Sequence, residues 1–415
     1  MADTQDIIII GGGVIGLACA HYLISEGARV TLIEKDQVGM GASHGNCGLL
    51  YFSDLIPLCA PGAVSHEMIR GLLGTSPLYI KPEPDLERFL WLARFAMNCR
   101  QGHMDQAARD KYEILIYSAR LFSDLLKKGD LQCGHEKNGI LSVFKEKKNI
   151  DGFKKKNDFL KKFNIGYRRL TREDTLDLEP ALSDKIAGAW YSETDQHLRP
   201  EHLMAVWKDN LVKQGLIIEE RCEVLDIQYE KGSVKRVLTS KGDFSSDFFV
   251  LATGAWSPVL ARRLNLTIPV QAGKGYSITM GRPSLCPKIP CMLCEKNMVV
   301  TPWESGYRLG GTMEFSGFSH SLNPLRLKKL VDGAGEYMRT PMGQPLVEEW
   351  TGLRPMTHDD MPIIGRSSSN DNLYIATGHG MLGLTLATGT GKLISDMIFN
   401  RAPGINTRPY SPDRF

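Results

Sequence analysis

The first six residues, MADTQD, contain two aspartates and no lysine or arginine, so the apolar run that follows has none of the basic flank of a secretory signal. A charge surplus is also lacking. The 50 Lys and Arg against 47 Asp and Glu leave +3 over 415 residues, and no zinc-finger, RNP or homeodomain spacing occurs, so nucleic acid is not an expected partner. The 9 cysteines are an odd number and scattered, which predicts no disulfide framework and a reducing, cytoplasmic setting. Cys286, Cys291 and Cys294 do cluster, in CPKIPCMLC, but a structural zinc or an iron–sulfur site wants a second paired motif that is missing. They read as packed thiols, and no metal is expected. Long uncharged runs are scarce too: IIIIGGGVIGLACAHYLI, Ile7 to Ile24, has the length of a short membrane span.

The content of that run argues against a bilayer. Gly11, Gly12, Gly13 and Gly16 would each weaken a helix, whereas Ile7 to Ile10 is the β-branched run of a strand buried on both faces. Strand, glycine turn and helix is the better parse. Gly11, Gly13 and Gly16 then form G-x-G-x-x-G: the first permits the turn, the second lets a pyrophosphate approach the backbone, and the third lets helix and strand pack closely. Free N–H groups at the helix start, around Val14 and Ile15, would face the phosphates. A second strand, ARVTLIEKD, ends at Glu34, where a carboxylate can grip a ribose hydroxyl, with Lys35 beside it. Strand, glycines, helix, strand and acid in that order predict a dinucleotide site.

A chain of 415 residues has room for two domains with separate cores. Charge is unevenly spread along it. Phe144 to Phe163, FKEKKNIDGFKKKNDFLKKF, holds eight lysines against Glu146, Asp151 and Asp158. Two readings stay open: a solvated helix with Phe153, Leu160 and Phe163 toward the core, or a basic surface resting on anionic lipid at the inner face of a membrane or on a redox partner.

Two later segments repeat the strand, glycine and helix order. GDFSSDFFVLATGAWSPVLARRL places Gly254 between a buried strand and a helix, with Thr253 and Trp256 at the turn. NLYIATGHGMLGLTLATGTGKLISDMI gives a strand from Asn372 to Ala376, a turn with Gly378, His379 and Gly380, and a long apolar helix. A helix N-terminus behind glycines suits a partial negative charge.

These stretches carry a family resemblance. IIIIGGGVIGLACAHYL, GASHGNCGLL, ATGAWS, GKGYS, GGTMEFSG and WTGLRPMTHDDMPIIG, in that order, closely resemble the FAD-dependent D-amino-acid dehydrogenases of the D-amino-acid oxidase, glycine oxidase and sarcosine oxidase superfamily. The resemblance covers nearly the whole chain. It implies an α/β fold with an FAD-binding Rossmann-like domain of the glutathione-reductase type, assembled from residues 1–80, 200–268 and 353–415. A second, α+β substrate-binding domain would comprise 81–199 and 269–352. By the same resemblance FAD would be held by Gly11, Gly13, Val14, Ile15, Gly16, Glu34 and Lys35, and by Ser43, His44, Gly45, Asn46, Gly48 and Leu49. Val224, Thr253, Gly254 and Trp256 would join them, as would Gly378, His379, Gly380, Met381, Gly383, Leu384 and Thr385.

The arginine of G-L-R-P in the superfamily holds the substrate carboxylate, and Gly352, Leu353, Arg354 and Pro355 reproduce that motif. A guanidinium can take a carboxylate through two parallel hydrogen bonds; a structural arginine paired with Asp359 or Asp360 is the alternative. Lys274 and Tyr276 alternate along AGKGYSITM and so share one side of a strand. Tyr276 could donate to the carboxylate or line the cavity and Lys274 could sit near the flavin, or the pair could mark an exposed strand end. His44 could touch flavin or substrate, or cap its loop. For His379 the backbone N–H, rather than the imidazole, is the expected contact. Cys47 stands where the family usually has alanine. Met298 replaces a tyrosine of the glycine oxidases, and HGMLGLT lacks their second arginine, so a second cationic clamp is missing.

The resemblance implies a small-molecule substrate: a D-amino acid or cyclic imino acid, such as D-proline or D-hydroxyproline, giving up a hydride from Cα to flavin N5. Electrons would pass to a quinone or other non-oxygen acceptor, and the imine would open to a 2-oxo acid. Two alternatives stand beside this one, an oxygen-using oxidase of glycine or sarcosine and an FAD electron-transfer subunit docked on a partner.

Overall fold

In the computed structural model, which describes residues 4–63, 78–127, 129 and 131–415, the isoleucine run becomes the strand Asp6–Ile10, with Ile7 to Ile10 all buried. It lies inside a six-stranded sheet whose order is Ile363–Arg366, Leu373–Thr377, Phe248–Leu251, Asp6–Ile10, Arg29–Ile33 and Ile217–Glu219. Every neighbouring pair is parallel except the one at the Ile363–Arg366 edge. Parallel strands need cover on both faces. Helices Val14–Ser25 and Gly383–Ile398 pack against each other on this sheet, and the long helix Gln101–Lys127 joins them through Ser118, whose hydroxyl donates to the Thr385 carbonyl at 2.7 Å.

A nine-stranded sheet forms the second body of structure. Its long antiparallel pair, Val270–Met280 and Leu346–Thr357, sets Gly273 opposite Arg354 and Tyr276 opposite Thr351. From Thr279 opposite Glu348 the ladder runs without a register shift until Val270 meets Thr357, so the expected boundary at residue 353 falls inside a strand. The chain leaves the large sheet only after Thr357. Leu78–Ile80, at the end of the expected first FAD segment, also belongs to the large sheet, paired with Met313–Phe315. Residues 1–3 and 64–77 of that segment lie outside the described residues.

The lysine-rich stretch is the helix Lys147–Leu160, with Ile150, Asn157 and Leu160 buried. Phe153 packs on Phe144, Tyr167 and Trp190 with ring centroids 5.3–5.6 Å apart, while Lys148 and Lys154 pair at the surface with Glu146 and Asp158. Cys286, Cys291 and Cys294 are free thiols; burial pushes the pKa of Cys294 up to about 12 and that of Cys286 to about 11. Among the described residues no group of His, Cys, Asp or Glu is placed to hold a metal, and no helix is long and apolar enough to cross a membrane.

Candidate active site

A cavity of about 1070 Å³ is lined by residues of both sheets. At one end stand Gly11 and Gly13, with Val14 and Ile15 opening the helix whose cap residue, Gly13, supplies no side-chain hydrogen bond. Gly16 packs behind them: a Cβ there would come within 2.0 Å of the Gly11 carbonyl oxygen. The Glu34 carboxylate accepts from Gly12 N at 2.7 Å and Asp36 N at 3.0 Å and lies on the cavity wall. Lys35 Nζ stands 3.8 Å from the centroid of Trp256, against which His320 stacks at 5.6 Å. Val224, Thr253 and Gly254 complete this end. A helix start without a cap from its own Gly13, glycines on the wall and an aromatic platform fit the phosphates and adenosine of a dinucleotide. Gly16→Ala would force helix and strand apart, and we expect the purified variant to lose most of its bound cofactor, read as flavin absorbance per protein.

The loop Ser43 to Leu49 leads to the other end, and the large sheet holds its carbonyls. Ser277 Oγ donates to Gly45 O at 2.7 Å, Thr301 Oγ1 to Cys47 O at 2.8 Å, and Arg308 Nη1 to Asn46 O at 2.7 Å. Ser43 Oγ accepts from Val14 N, and Asn46 Oδ1 from Gly48 N. Opposite, the Arg354 guanidinium lies across Gly275, where a Cβ would come within 2.3 Å of it. Its Nη1 donates to Thr312 O at 3.1 Å. Thr312 sits at a register shift of its strand with φ +65°, a costly conformation for a β-branched residue, and that bulge turns its carbonyl to the arginine. No carboxylate lies within 4.0 Å of Arg354 among the described residues: Asp359 pairs with Arg414 and Asp360 with Lys111. Burial lowers the pKa of the guanidinium. Tyr276, also on the wall, donates to Glu314 Oε2 at 3.1 Å.

The family model of FAD-dependent oxidoreductases matches residues 6–397. The chain belongs to that family. It is 31% identical to a D-amino acid dehydrogenase of Xanthobacter autotrophicus over 99% of each chain, and 28% identical to one of Vibrio atlanticus over 99% of this chain and 100% of that one. Glycine oxidase of Geobacillus kaustophilus has the same fold, with a TM-score of 0.77 over 99% of this chain and 100% of that one at 22% identity. L-proline dehydrogenase of P. horikoshii gives 0.74 over 100% and 98% at 18% identity. The protein is thus an FAD-dependent oxidoreductase with the two-part fold that its motifs imply.

Within that frame several expected contacts fall elsewhere. His44 turns its Nε2 to the Glu348 carboxylate, at 2.9 and 3.1 Å, and is not on the cavity wall. Lys274 does share a side with Tyr276, its Nζ 5.2 Å from that ring, but its ammonium donates to the Ser321 carbonyl and burial lowers its pKa. Thr385 is occupied with Leu49 and Tyr51, accepting from Tyr51 N at 3.0 Å. Gly378 packs toward Thr357 and Ile363. His379, Gly380, Met381, Gly383 and Leu384 do line the cavity, with the His379 imidazole tied to Thr390 Oγ1 at 2.9 Å and its pKa pushed down by burial to about 3. A neutral imidazole fixed in that way carries no proton traffic. Cys47 lines the cavity as well, its thiol kept protonated by burial despite Arg354 and Arg308. The sequence reading missed Trp350, which opens the WTGLRP stretch and packs against Gly45 on the cavity wall, and also His320 and Arg308, which no periodicity or motif marks.

Proposed function

We propose that the protein oxidises D-amino acids or cyclic imino acids, D-proline and D-hydroxyproline among them. The carrying observation is Arg354, a desolvated guanidinium on the cavity wall, steered by a carbonyl and without a carboxylate of its own. Such a group takes a substrate carboxylate through two parallel hydrogen bonds, which fixes the plane of the molecule as a lysine could not. FAD, when bound, supplies the hydride acceptor. Gly11 to Ile15, Glu34, Lys35 and Trp256 are the contacts we assign to its adenosine diphosphate half, and Gly45 to Leu49 with His379 to Leu384 those to the ring. The nucleotide-binding unit is read as residues 4–63, 200–268 and the chain after Thr357, with Leu78–Ile80 left to the large sheet. Relatives named D-amino acid dehydrogenase support the stereochemistry. In assays with an artificial quinone, D-acids should turn over, L-acids should not, and peroxide formed in air should be a small fraction of turnover. Peroxide equal to turnover with glycine or sarcosine would instead assign an oxidase, and FAD-loaded protein inert to all of them an electron-transfer subunit.

A second observation supports an acceptor at a membrane surface. On the helix Leu86–Asn98, Leu86, Phe89, Leu90 and Met97 are between 47% and 72% exposed, while Trp91 on the opposite face is buried. A helix apolar on both faces is ordinarily covered on both, and the exposed Arg94 and Arg100 at its edge and end suit anionic lipid. We read this face, rather than the lysine-rich helix, as the membrane contact. Phe89→Ser removes about 2 kcal/mol of apolar burial, so sedimentation with anionic vesicles should weaken tenfold or more by the same measure. Equal binding of both proteins would reject this surface.

A further inference from the structure

Two buried carboxylates have no lysine or arginine within 4.0 Å among the described residues: Glu179, which is satisfied by the backbone N–H groups of Ala181, Lys288 and Ile289, and Asp195, which is not. Asp359, Asp360, Glu201 and Asp396 are paired with Arg414, Lys111, Arg308 and Lys392, but Asp195, fully buried, has no lysine or arginine within 4.0 Å among the described residues. Its oxygens take the Ser53 backbone N–H at 3.0 Å and the Ser53 hydroxyl at 2.5 Å. Ser53 Oγ lies 2.7 Å from Tyr167 Oη, and Tyr167 Oη lies 3.2 Å from Tyr51 Oη. Tyr51 is on the cavity wall. Four oxygens therefore run in file from the cavity to an unpaired buried carboxyl.

Each hydroxyl in the file has a single proton, so the bonds reverse together. With Asp195 ionised, Ser53 donates to it, Tyr167 to Ser53, and Tyr51 inward to Tyr167. With Asp195 protonated the order is opposite, and Tyr51 receives from Tyr167 and offers its own proton to the cavity. Passing from the second state to the first carries one proton from Asp195 to the cavity, and the return carries one inward. No ion crosses the protein.

We propose that Tyr51, Tyr167, Ser53 and Asp195 form a proton relay that draws the ammonium proton from the bound amino acid and stores it on Asp195. This rests on the substrate reading above. The substrate N–H bond breaks and the nitrogen keeps the electron pair; its proton goes to the Tyr51 oxygen as Tyr51 passes its own to Tyr167, Tyr167 to Ser53 and Ser53 to Asp195. Nothing is oxidised in this step. The freed electron pair then assists hydride loss from Cα. Burial raises the Asp195 pKa to about 6 against the bonds from Ser53, and Asp54 adds to the rise; Asp54, Tyr51 and Tyr167 are the titratable groups that face it. Both protonation states are therefore accessible near neutrality.

The test follows anaerobic flavin reduction by D-alanine between about pH 5 and pH 10 in wild-type protein, Asp195→Asn and Tyr51→Phe, the last sparing the ring packing. Wild-type rates should rise through a midpoint near pH 6 and then level. Both variants should be about a hundredfold slower at pH 7 and gain about tenfold per pH unit toward the pKa of the substrate amine, closing the gap. Profiles of unchanged shape in the variants, at any rate, would overturn the relay. Infrared difference spectra with pH give a readout that needs no turnover: a protonated-carboxyl band titrating near pH 6 in wild type and missing in Asp195→Asn. Without that band the relay fails. With the band present and no D- or L-acid reducing the flavin, the substrate reading fails and the buried acid stands.

Discussion

Arg354→Ala is expected to lower kcat/KM for every amino acid substrate by at least about thirtyfold, or about 2 kcal/mol, with FAD still bound. The guanidinium is already desolvated and has a carbonyl, not a carboxylate, for a partner, so its main electrostatic interaction is available to a ligand. Loss of a charge-assisted bidentate contact removes both binding energy and the orientation of Cα. Arg354→Lys should fall between, since an ammonium restores the charge but not the fork. Flavin absorbance per protein separates this outcome from a folding defect, because Arg354 holds none of the loop carbonyls. Unchanged kcat/KM in Arg354→Ala for every acid would remove the clamp from the account.

Arg308→Met is expected to cost about 3 kcal/mol or more of stability and to release FAD, read by denaturant unfolding and flavin content. Arg308 is wholly buried, yet it is a scaffold rather than a ligand. Its guanidinium donates to Glu201 at 3.0 Å, to Thr279 Oγ1 at 2.9 Å and to the carbonyls of Asn46 and His44. Burial would raise the Glu201 pKa, but the charges of Arg308 and Arg199 hold it below the usual range. Methionine fills the volume and leaves Glu201 with Arg199 alone, while two loop carbonyls lose their donor. Arg308→Lys should recover part of the stability and little of the FAD affinity, since one ammonium cannot span those acceptors.

The nucleotide end was legible because its requirements are local. A strand, its glycines, the helix and Glu34 lie within 28 residues from Ile7 to Glu34, and each glycine answers a steric demand within that span. Arg354 was legible as a motif, but its freedom from ion pairing was not: Asp359 and Asp360 stand close in sequence, and only the fold shows them claimed by Arg414, 55 residues on, and Lys111, 249 residues back. Period-two alternation set Lys274 and Tyr276 on one side correctly. It carries no information on the loop whose Ser321 carbonyl takes the ammonium. His44 likewise meets a carboxylate 304 residues away. The boundary expected at residue 353 and the strand's end at Thr357 differ for a related reason: a motif marks the arginine, whereas the strand's end is set by its partner Val270.

The most direct test of the whole account is the visible absorption of the purified protein under argon as D- and L-alanine, D- and L-proline, D- and L-hydroxyproline, glycine and sarcosine are added one at a time. The account predicts that the flavin band bleaches with D-acids, and with no L-acid, glycine or sarcosine. Bleaching by L-acids or by glycine alone, or a yellow protein that none of them bleaches, would contradict it.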